Sequence, residues 1–291
     1  MAKKSRTNEW SISFEQTSSL RTLIDVVGNL LTSLSIRIQK KDTYHQLCID
    51  SIDPQHVCVV QARLICENGE SLPTEEVEFC LDSSTFNTCL KSIPLHYSIQ
   101  LSKRSGPSQD KIDLTAYESL SNSHTLTFEL NTLNDESTRP CLGNIDYAFT
   151  IEIDLGTLRN IIKMSSALKA SEVQFAIHEA EGDGKRNSIL SISANGDAKL
   201  IHNFHSSTVQ DETIIRAVTD TRTASIDVDD MTEQYRDTFS EKYLGFFLKS
   251  MERQIITMKL SPDRPLLLHY PLGVENSYIC FVLAPRSNAD E

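Results

Sequence analysis

A segment of this chain occurs twice. It reads Leu81-Asp82-Ser83-Ser84-Thr85-Phe86-Asn87-Thr88-Cys89-Leu90-Lys91 in the first half, and it aligns without gaps on Ile153-Asp154-Leu155-Gly156-Thr157-Leu158-Arg159-Asn160-Ile161-Ile162-Lys163 in the second. A strand end, an aspartate, a threonine, an apolar stripe and a helix-terminal lysine recur in register. One interpretation is coincidence, because any strand-to-helix junction favours a capping side chain and a cation near the helix end. The other is an internal repeat, which predicts two similar domains.

Outward from the repeat, short alternating or β-branched runs predominate and predict strands. They lie at residues 35–38, 56–64, 97–101, 111–116 and 124–130, and again at 149–153, 172–177, 189–192, 255–260 and 278–283. Four helical stripes lie between them: Leu20, Leu23, Ile24, Val27 and Leu31; Phe86, Cys89 and Leu90; Leu158, Ile161, Ile162 and Ser165; and Leu244, Phe247, Leu248 and Met251. The pattern predicts an α+β fold of two similar domains, each with mainly antiparallel sheets and two helices.

The break between the predicted domains falls in the polar stretch 131–146, which holds Pro140 and Gly143 and has linker composition. We therefore expect a flexible basic amino terminus (1–10), a first domain (11–130), a connector (131–146), a second domain (147–286) and a tail (287–291). The length of 291 residues, with 39% hydrophobic content, also favours two domains.

Composition restricts the class of protein. The formal net charge of -12 argues against a wholly basic nucleic-acid binder, but it leaves room for a local positive surface. Seven cysteines, an odd number without a Cys-x-x-Cys pair, predict reduced core thiols of an intracellular protein. The amino terminus lacks an apolar signal region, and no stretch approaches the roughly 18 apolar residues that span a bilayer, so we expect neither secretion nor membrane insertion.

No catalytic signature is complete in the sequence. The turn Gly182-Asp183-Gly184-Lys185-Arg186 lacks the first glycine and the final Ser or Thr of a phosphate loop. His202 and His205 point to opposite faces if they lie in one strand. The carboxylates Asp227, Asp229 and Asp230 are either cation ligands or a solvated strand end. We expect no catalytic residue, no cofactor and no metal site, with a metal-dependent enzyme using this aspartate cluster as the alternative of another class.

Three segments carry a family resemblance. The carboxyl third runs from Tyr243-Leu244-Gly245-Phe246-Phe247-Leu248-Lys249 through Arg264-Pro265-Leu266-Leu267-Leu268 to Leu283-Ala284-Pro285-Arg286. Asn195-Gly196-Asp197-Ala198-Lys199-Leu200 is similar to an Asn-Gly-Asn-Ile-Lys-Leu strand, and residues 48–61 are similar to a strand, a turn and a strand in which Asp53, His56 and Val57 match. The matching segments follow one another along the chain, over about residues 14–286, as they do in the eukaryotic DNA sliding clamp, proliferating cell nuclear antigen (PCNA), which the chain resembles.

The chain also departs from the family pattern. Ile52 replaces a methionine, Val282 occupies an aromatic position, Arg286 replaces a lysine, and residues 135–140 replace an acidic and apolar connector. Arg21 stands where two adjacent lysines are usual, and Gly28 replaces another basic residue, so the first helix carries few positive charges. The resemblance is that of a divergent member, viral or from a distant eukaryote.

The resemblance implies a homotrimer closed head to tail into a pseudo-sixfold ring, with helices inside and sheets outside. Such a ring encircles duplex DNA without sequence preference and tethers DNA polymerase and other proteins that carry a clamp-binding peptide, after a clamp loader has placed it. The inward cations that it implies are Arg21, Lys91, Arg159, Lys163, Lys242 and Lys249. Each of these is otherwise an ordinary solvated side chain.

Two further sites follow from the resemblance. Subunits pair through edge strands at 111–118 and 197–205, with the residues Lys111, Ile112, Leu114, Ala116, Ala198, Lys199, Leu200 and His202; taken alone, either stretch is read as an internal strand. A client peptide enters a groove whose walls are Ile52, His56, Val57, Leu133, Leu142, Pro265, Ala284 and Pro285. For His56 the rival interpretation is a polar turn residue.

One alternative function keeps the fold, namely a subunit of a heterotrimeric checkpoint clamp. The location that we expect is the nucleus, or a viral replication compartment if the chain is viral. Lys3, Lys4 and Arg6 are either a nuclear import signal or part of a solvated, disordered terminus.

Overall fold

The computed structural model describes residues 8–14, 17–66, 72–73, 75–104, 110–118, 125–134, 139–140, 143, 145–182, 185–209, 214–217, 231–249 and 254–286. The chain divides into two compact units, of which unit 1 comprises residues 1–140 and 271–279 and unit 2 comprises residues 141–270 and 280–291. The division after Pro140 falls inside the stretch predicted as the connector.

The assignment of 271–279 to unit 1 differs from the predicted second domain, 147–286. Its physical reason is a pair of hydrogen bonds to unit 1. Ser19 Oγ donates to the carbonyl of Leu272 over 2.9 Å, and Ser277 Oγ accepts from the N–H of Ile65 over 3.0 Å.

Unit 1 contains two antiparallel strand arrangements and two helices. One sheet has the order β1-β6-β7-β8, and the second set of strands has the order β4-β3-β2-β5. The elements are β1 (Asn8–Phe14), α1 (Thr17–Val27), β2 (Ser33–Lys40), β3 (His45–Ile52), β4 (Cys58–Cys66), β5 (Val77–Asp82), α2 (Ser83–Ser92), β6 (Tyr97–Arg104), β7 (Lys111–Glu118) and β8 (Thr125–Asn131).

The second half of the chain follows the same succession with one additional strand. A sheet has the order β12-β11-β10-β14, and another set of strands has the order β13-β9-β15-β16-β17, in which β13 pairs with β9 in parallel. The elements are β9 (Phe149–Asp154), α3 (Leu155–Ala167), β10 (Glu172–Gly182), β11 (Lys185–Asn195), β12 (Lys199–Val209), β13 (Ile214–Ala217), β14 (Thr232–Ser240), α4 (Glu241–Leu248), β15 (Ile255–Leu260), β16 (Leu266–Pro271) and β17 (Tyr278–Leu283). The predicted α+β class is confirmed.

The four predicted helices are present, and the described residues of their apolar stripes are buried except Cys89, which is half-buried. Phe86, Leu158 and Phe247 are completely enclosed, and within each unit the two helices pack against one another, α1 on α2 and α3 on α4. The predicted stripe of α1 extended too far, because the helix ends at Val27 and Leu31 follows it as a buried loop residue. Met251 lies outside the described residues.

The repeated segment proves to be a repeated helix cap. The Asp82 carboxylate accepts from the N–H of Thr85 over 2.7 Å, and the Asp154 carboxylate accepts from the N–H of Thr157 over 2.7 Å. Hydrogen bonds from Thr85 lower the pKa of Asp82, so this cap stabilises the protein at neutral pH and is lost as pH falls through the lowered pKa. The prediction that Lys163 ends its helix is wrong, since α3 continues to Ala167.

We expect Asp154→Ala to lower the free energy of unfolding by about 1 kcal/mol, because the Thr157 N–H loses its acceptor. Asp154→Asn keeps an amide oxygen in the same place, so we expect a loss of only a few tenths of a kcal/mol. Equilibrium denaturation with urea measures both values. Equal losses in the two variants would show that the charge of Asp154 matters and that its acceptor geometry does not.

Candidate functional site

The helices differ in charge from the rest of the chain. Together they hold five basic and two acidic residues, a net charge of +3, whereas the whole chain carries -12. A sixth cation, Lys249, caps the carboxyl end of α4. Because phosphate binding depends on local potential, the helix surface is the candidate nucleic-acid interface.

In unit 1 one basic residue of the helices is ion-paired and the other is partly buried. Lys91 on α2 forms an ion pair with Asp25 on α1, and Asn87 Nδ2 donates to the same carboxylate over 3.0 Å. Arg21 lies one turn before Asp25. Its Nε and Nη2 atoms are buried and have no hydrogen-bond partner among the described residues, and burial lowers the pKa of its guanidinium.

In unit 2 most of the corresponding cations reach solvent. Lys163 on α3 and Lys242 and Lys249 on or after α4 are exposed, and Lys242 Nζ lies 5.8 Å from the centre of the Phe246 ring. Arg159 is half-buried, and its Nε donates to the carbonyl of Leu248 over 2.7 Å, which links α3 to α4. The two helices of unit 2 therefore share one positive surface.

Of the two strands predicted to lie at a sheet edge, one does and the other does not. β7, which carries Lys111, Ile112, Leu114 and Ala116, is internal because β6 and β8 pair with its two sides. Ile112, Leu114 and Ala116 are accordingly buried. The edge of this sheet is the next strand, β8. The second prediction is confirmed as an edge, since β12 is the terminal strand of its sheet.

Both edge strands expose an apolar side chain. Leu126 on β8 is 41% exposed and Ile201 on β12 is 53% exposed. Among the predicted contact residues, Ala198 and Lys199 are exposed, Leu200 and His202 are half-buried, and the His202 ring lies 4.5 Å from that of Phe204. An edge strand with an exposed apolar side chain is suited to pairing with another chain.

The turn between β11 and β12 positions the second edge strand. Gly196 lies so close to the end of α3 that an added Cβ stands 2.0 Å from the Leu168 carbonyl oxygen. The N–H of Asp197 donates to that oxygen over 2.7 Å, and Lys169 Nζ pairs with the Asp197 carboxylate at 2.8 Å. The Asn-Gly-Asp sequence is thus explained by close packing of the turn on α3.

The turn between β3 and β4, at the predicted peptide site, depends on a residue that was not among the predicted site residues. The buried carboxylate of Asp53 accepts from the N–H groups of Gln55, Val57 and Cys58 over 2.9, 2.7 and 2.6 Å. This arrangement holds His56 exposed, with a φ of 58°, and leaves Val57 and Ile52 half-buried. Asp-Pro before a strand is the sequence signal for such a turn.

The other predicted members of the peptide site are distributed between the units. Leu133, in unit 1, is 43% exposed and donates its N–H to the carbonyl of Cys80 over 2.9 Å. In unit 2, Ala284 is exposed, and Pro265 and Pro285 are half-buried. Leu142 lies outside the described residues. The grouping of these residues into one groove stays a prediction.

One cavity of about 320 Å³ lies within unit 1. Trp10 and Phe79, stacked with their ring centroids 5.6 Å apart, line it together with Ile112, Lys103 and Leu133. Leu133 is the member of the predicted peptide site that this cavity includes. Its lining is therefore different from that of the predicted groove.

The chemistry of a metal site is not found in the part of the chain that the structure describes. No group of three or more His, Cys, Asp or Glu side chains is placed there to hold a metal ion. Asp227, Asp229 and Asp230 lie outside the described residues, as do Lys3, Lys4 and Arg6. Among the described helices, none combines the length and hydropathy that crossing a bilayer requires.

The fold is that of a DNA sliding clamp of the PCNA type. The structure of PCNA from Entamoeba histolytica aligns with a TM-score of 0.71 and 13% identity over 96% of this chain and 100% of that chain. PCNA from Thermococcus kodakaraensis aligns with a TM-score of 0.68 and 16% identity over 95% of this chain and 99% of that chain. The PCNA2–PCNA3 complex from Sulfolobus tokodaii gives a TM-score of 0.69, 16% identity and the same coverage.

Sequence comparison identifies one relative by name. The DNA polymerase sliding clamp of Nanoarchaeum equitans is 29% identical over 163 residues. The matched stretch is 56% of this chain and 56% of that relative. No protein-family model matches the chain. The predicted resemblance is thus confirmed at the level of the fold.

Proposed function

We propose that this chain is a DNA sliding clamp and polymerase processivity factor that encircles duplex DNA. The clamp fold supports this function, and so does the named relative from Nanoarchaeum equitans. The observation that carries the proposal is the positive helix surface of a chain whose net charge is -12. A net positive helix surface on an anionic chain suits a ring that attracts phosphates inside and stays soluble outside.

The proposed DNA contacts are non-specific. Lys and Arg side chains on helices neutralise phosphates, and such contacts give weak, salt-dependent attraction without reading bases. A ring held in this way slides, because base-specific contacts would hold it at one position. The proposed contact residues are Arg21, Lys91, Arg159, Lys163, Lys242 and Lys249.

The proposed assembly is a homotrimer in which β8 of one subunit pairs with β12 of the next. This replaces the pairing through β7, whose two sides are already occupied. Both strands end their sheets and both expose an apolar side chain, Leu126 on one and Ile201 on the other. Pairing them covers two open edges at once, and a head-to-tail contact of this kind closes into a ring.

We propose that this chain binds its partners and catalyses no reaction on them. Client proteins, a DNA polymerase among them, insert a short peptide with apolar anchors beside the turn that Asp53 holds, and a loader opens the ring. Tethering raises the local concentration of the polymerase at the primer end. We further propose that the chain is not an enzyme, and that it acts in the nucleus or in a viral replication compartment.

The topology of DNA binding tests the proposal without a loader. We expect the purified protein to bind a linear duplex with open ends, onto which a ring can thread. We expect binding to be lost when streptavidin blocks both biotinylated ends, because a closed ring then has no entry. Fluorescence anisotropy at low salt measures the affinity for the open duplex and for the blocked duplex. Equal affinity for the open and the blocked duplex would contradict encirclement.

A matched pair of variants tests the assembly. Leu126→Lys places a charge on the edge strand β8. We therefore expect the mass measured by light scattering to fall from three times 32.7 kDa, the mass of a trimer, toward 32.7 kDa, the mass of a monomer. Leu95→Lys introduces the same charge at a more exposed site, 71%, between α2 and β6, and should leave the assembly unchanged. An unchanged mass for Leu126→Lys would exclude β8 as the interface.

The heterotrimeric clamp stays as the second candidate. The Sulfolobus tokodaii structure is a complex of two different chains, PCNA2 and PCNA3, so a chain of this fold assembles there with a non-identical neighbour. Under this alternative the purified chain remains a monomer of 32.7 kDa at all concentrations and associates only with other clamp subunits.

A further inference from the structure

The two units carry unequal helix charge. The helices of unit 1 hold Arg21, Lys91 and Asp25, a net charge of +1, while those of unit 2, with the capping Lys249, hold four cations and Glu241, a net charge of +3. A ring that uses both units for DNA would therefore attract phosphates unevenly.

The contacts show the same imbalance as the charges, because unit 1 pairs its lysine with a carboxylate. Lys91 pairs with Asp25, whose side chain is 25% exposed and also accepts from Asn87. A phosphate that approaches Lys91 competes with this carboxylate and is repelled by it. Arg21 lies one turn before Asp25 on the same helix, and two of its nitrogen atoms are buried.

Unit 2 has the opposite arrangement. Lys163, Lys242 and Lys249 are exposed, and none of them forms an ion pair with a described residue. The acidic residue of these helices, Glu241, has its carboxyl group hydrogen-bonded to Ser166 at the end of α3. An exposed ammonium group that is not paired with a described carboxylate can neutralise a phosphate and release the counterion condensed on the DNA there.

We propose that the helices of unit 2 bear most of the contact with the DNA backbone, and that the Asp25–Lys91 ion pair of unit 1 keeps the duplex loosely held. This inference rests on the proposed clamp function. A ring with alternating strong and weak segments holds DNA against one set of helices while the opposite wall stays weakly attractive. The ligand is a duplex phosphate backbone of any sequence.

Four single variants test the inference by anisotropy on the open duplex over a salt series. Lys163→Gln should reduce affinity several-fold and lower the slope of log K against log salt by about 0.9 for each phosphate that the variant no longer neutralises. Lys91→Gln should cause the smaller loss. Asp25→Asn keeps an acceptor for Asn87 but frees Lys91, so it should raise affinity and steepen the slope. Lys40→Gln, at the exposed end of β2, controls for net charge.

The outcomes separate this inference from the clamp proposal. The inference that unit 2 bears most of the DNA contact is wrong if Lys91→Gln weakens binding as much as Lys163→Gln, or if Asp25→Asn leaves affinity unchanged. Neither result would contradict the proposal that the protein encircles DNA. If the unsubstituted protein binds the blocked duplex as well as the open one, or binds neither, both proposals fail. Lys163→Gln changes an exposed side chain, so its result does not depend on the fold tolerating Asp25→Asn.

Discussion

Gly196→Ala is expected to lower the free energy of unfolding by about 3 kcal/mol, because an overpacked side chain displaces backbone. The added Cβ stands 2.0 Å from the Leu168 carbonyl oxygen and 2.8 Å from the Ala170 nitrogen, and neither atom belongs to a flexible side chain. The turn must therefore move away from α3, which breaks the hydrogen bond from the N–H of Asp197 to Leu168. Urea denaturation measures the loss.

The matched control is the same substitution in a helix. At Gly245, inside α4, an added Cβ meets nothing closer than Glu241 Oε1 at 3.8 Å. Gly245→Ala should stabilise the protein by about 0.5–1 kcal/mol, since alanine loses less backbone entropy than glycine in a helix. Similar effects of the two substitutions would show that the contact at Gly196 is not the cause. Because the Gly196 turn leads into β12, Gly196→Ala should also weaken self-association.

Asp50→Asn is expected to cost about 3 kcal/mol, because it leaves two largely buried guanidinium groups without their shared anion. Asp50 is 5% exposed and pairs with Arg37 and, over 2.8 Å, with Arg63. Burial of the Arg63 guanidinium disfavours its charge, but the hydrogen bond and the charge of Asp50 outweigh this and raise its pKa. The three side chains tie β2, β3 and β4 together.

Glu76→Gln is the control for Asp50→Asn. Glu76 also faces Arg37, at 3.7 Å, but its side chain is 44% exposed, so solvent screens the pair. We expect a change of about 0.5 kcal/mol or less, which thermal and urea denaturation resolve from the larger loss. A loss at Glu76 as large as that at Asp50 would mean that burial does not determine the strength of this ion-pair network.

Weak DNA contact and rigid subunits have different structural sources in this chain. Among the contacts proposed for DNA, the exposed lysines Lys163, Lys242 and Lys249 are replaceable at little cost in stability. The stability comes from packed groups such as the buried carboxylates of Asp50 and Asp53 and the close-packed Gly196. Substitutions in the two sets should separate cleanly into variants that bind poorly but fold and variants that fold poorly.

Local signals in the sequence predicted the local structure well. The i, i+3, i+4 stripes located all four helices, since a helix on a sheet must bury one face, and the two aspartates of the repeat marked the caps. Strands β1, β13, β14 and β16 were not predicted. In β14 the buried Tyr235 and Phe239 lie among polar residues in a stretch of weak periodicity, and β16 begins with three consecutive leucines, which hide its alternation.

The covalent order of residues was enough to determine which segments form helices, which segments form most of the strands, that the chain contains two similar units, and which cations lie on the helices. Periodicity, capping and charge act over a few neighbouring residues, so they can be read along the chain. The tertiary structure alone decided that β8, and not β7, ends its sheet, that Asp25 neutralises Lys91, and that Gly196 must be a glycine. Strand order, ion pairs and close packing join residues far apart in the chain, and no local pattern records which of them meet.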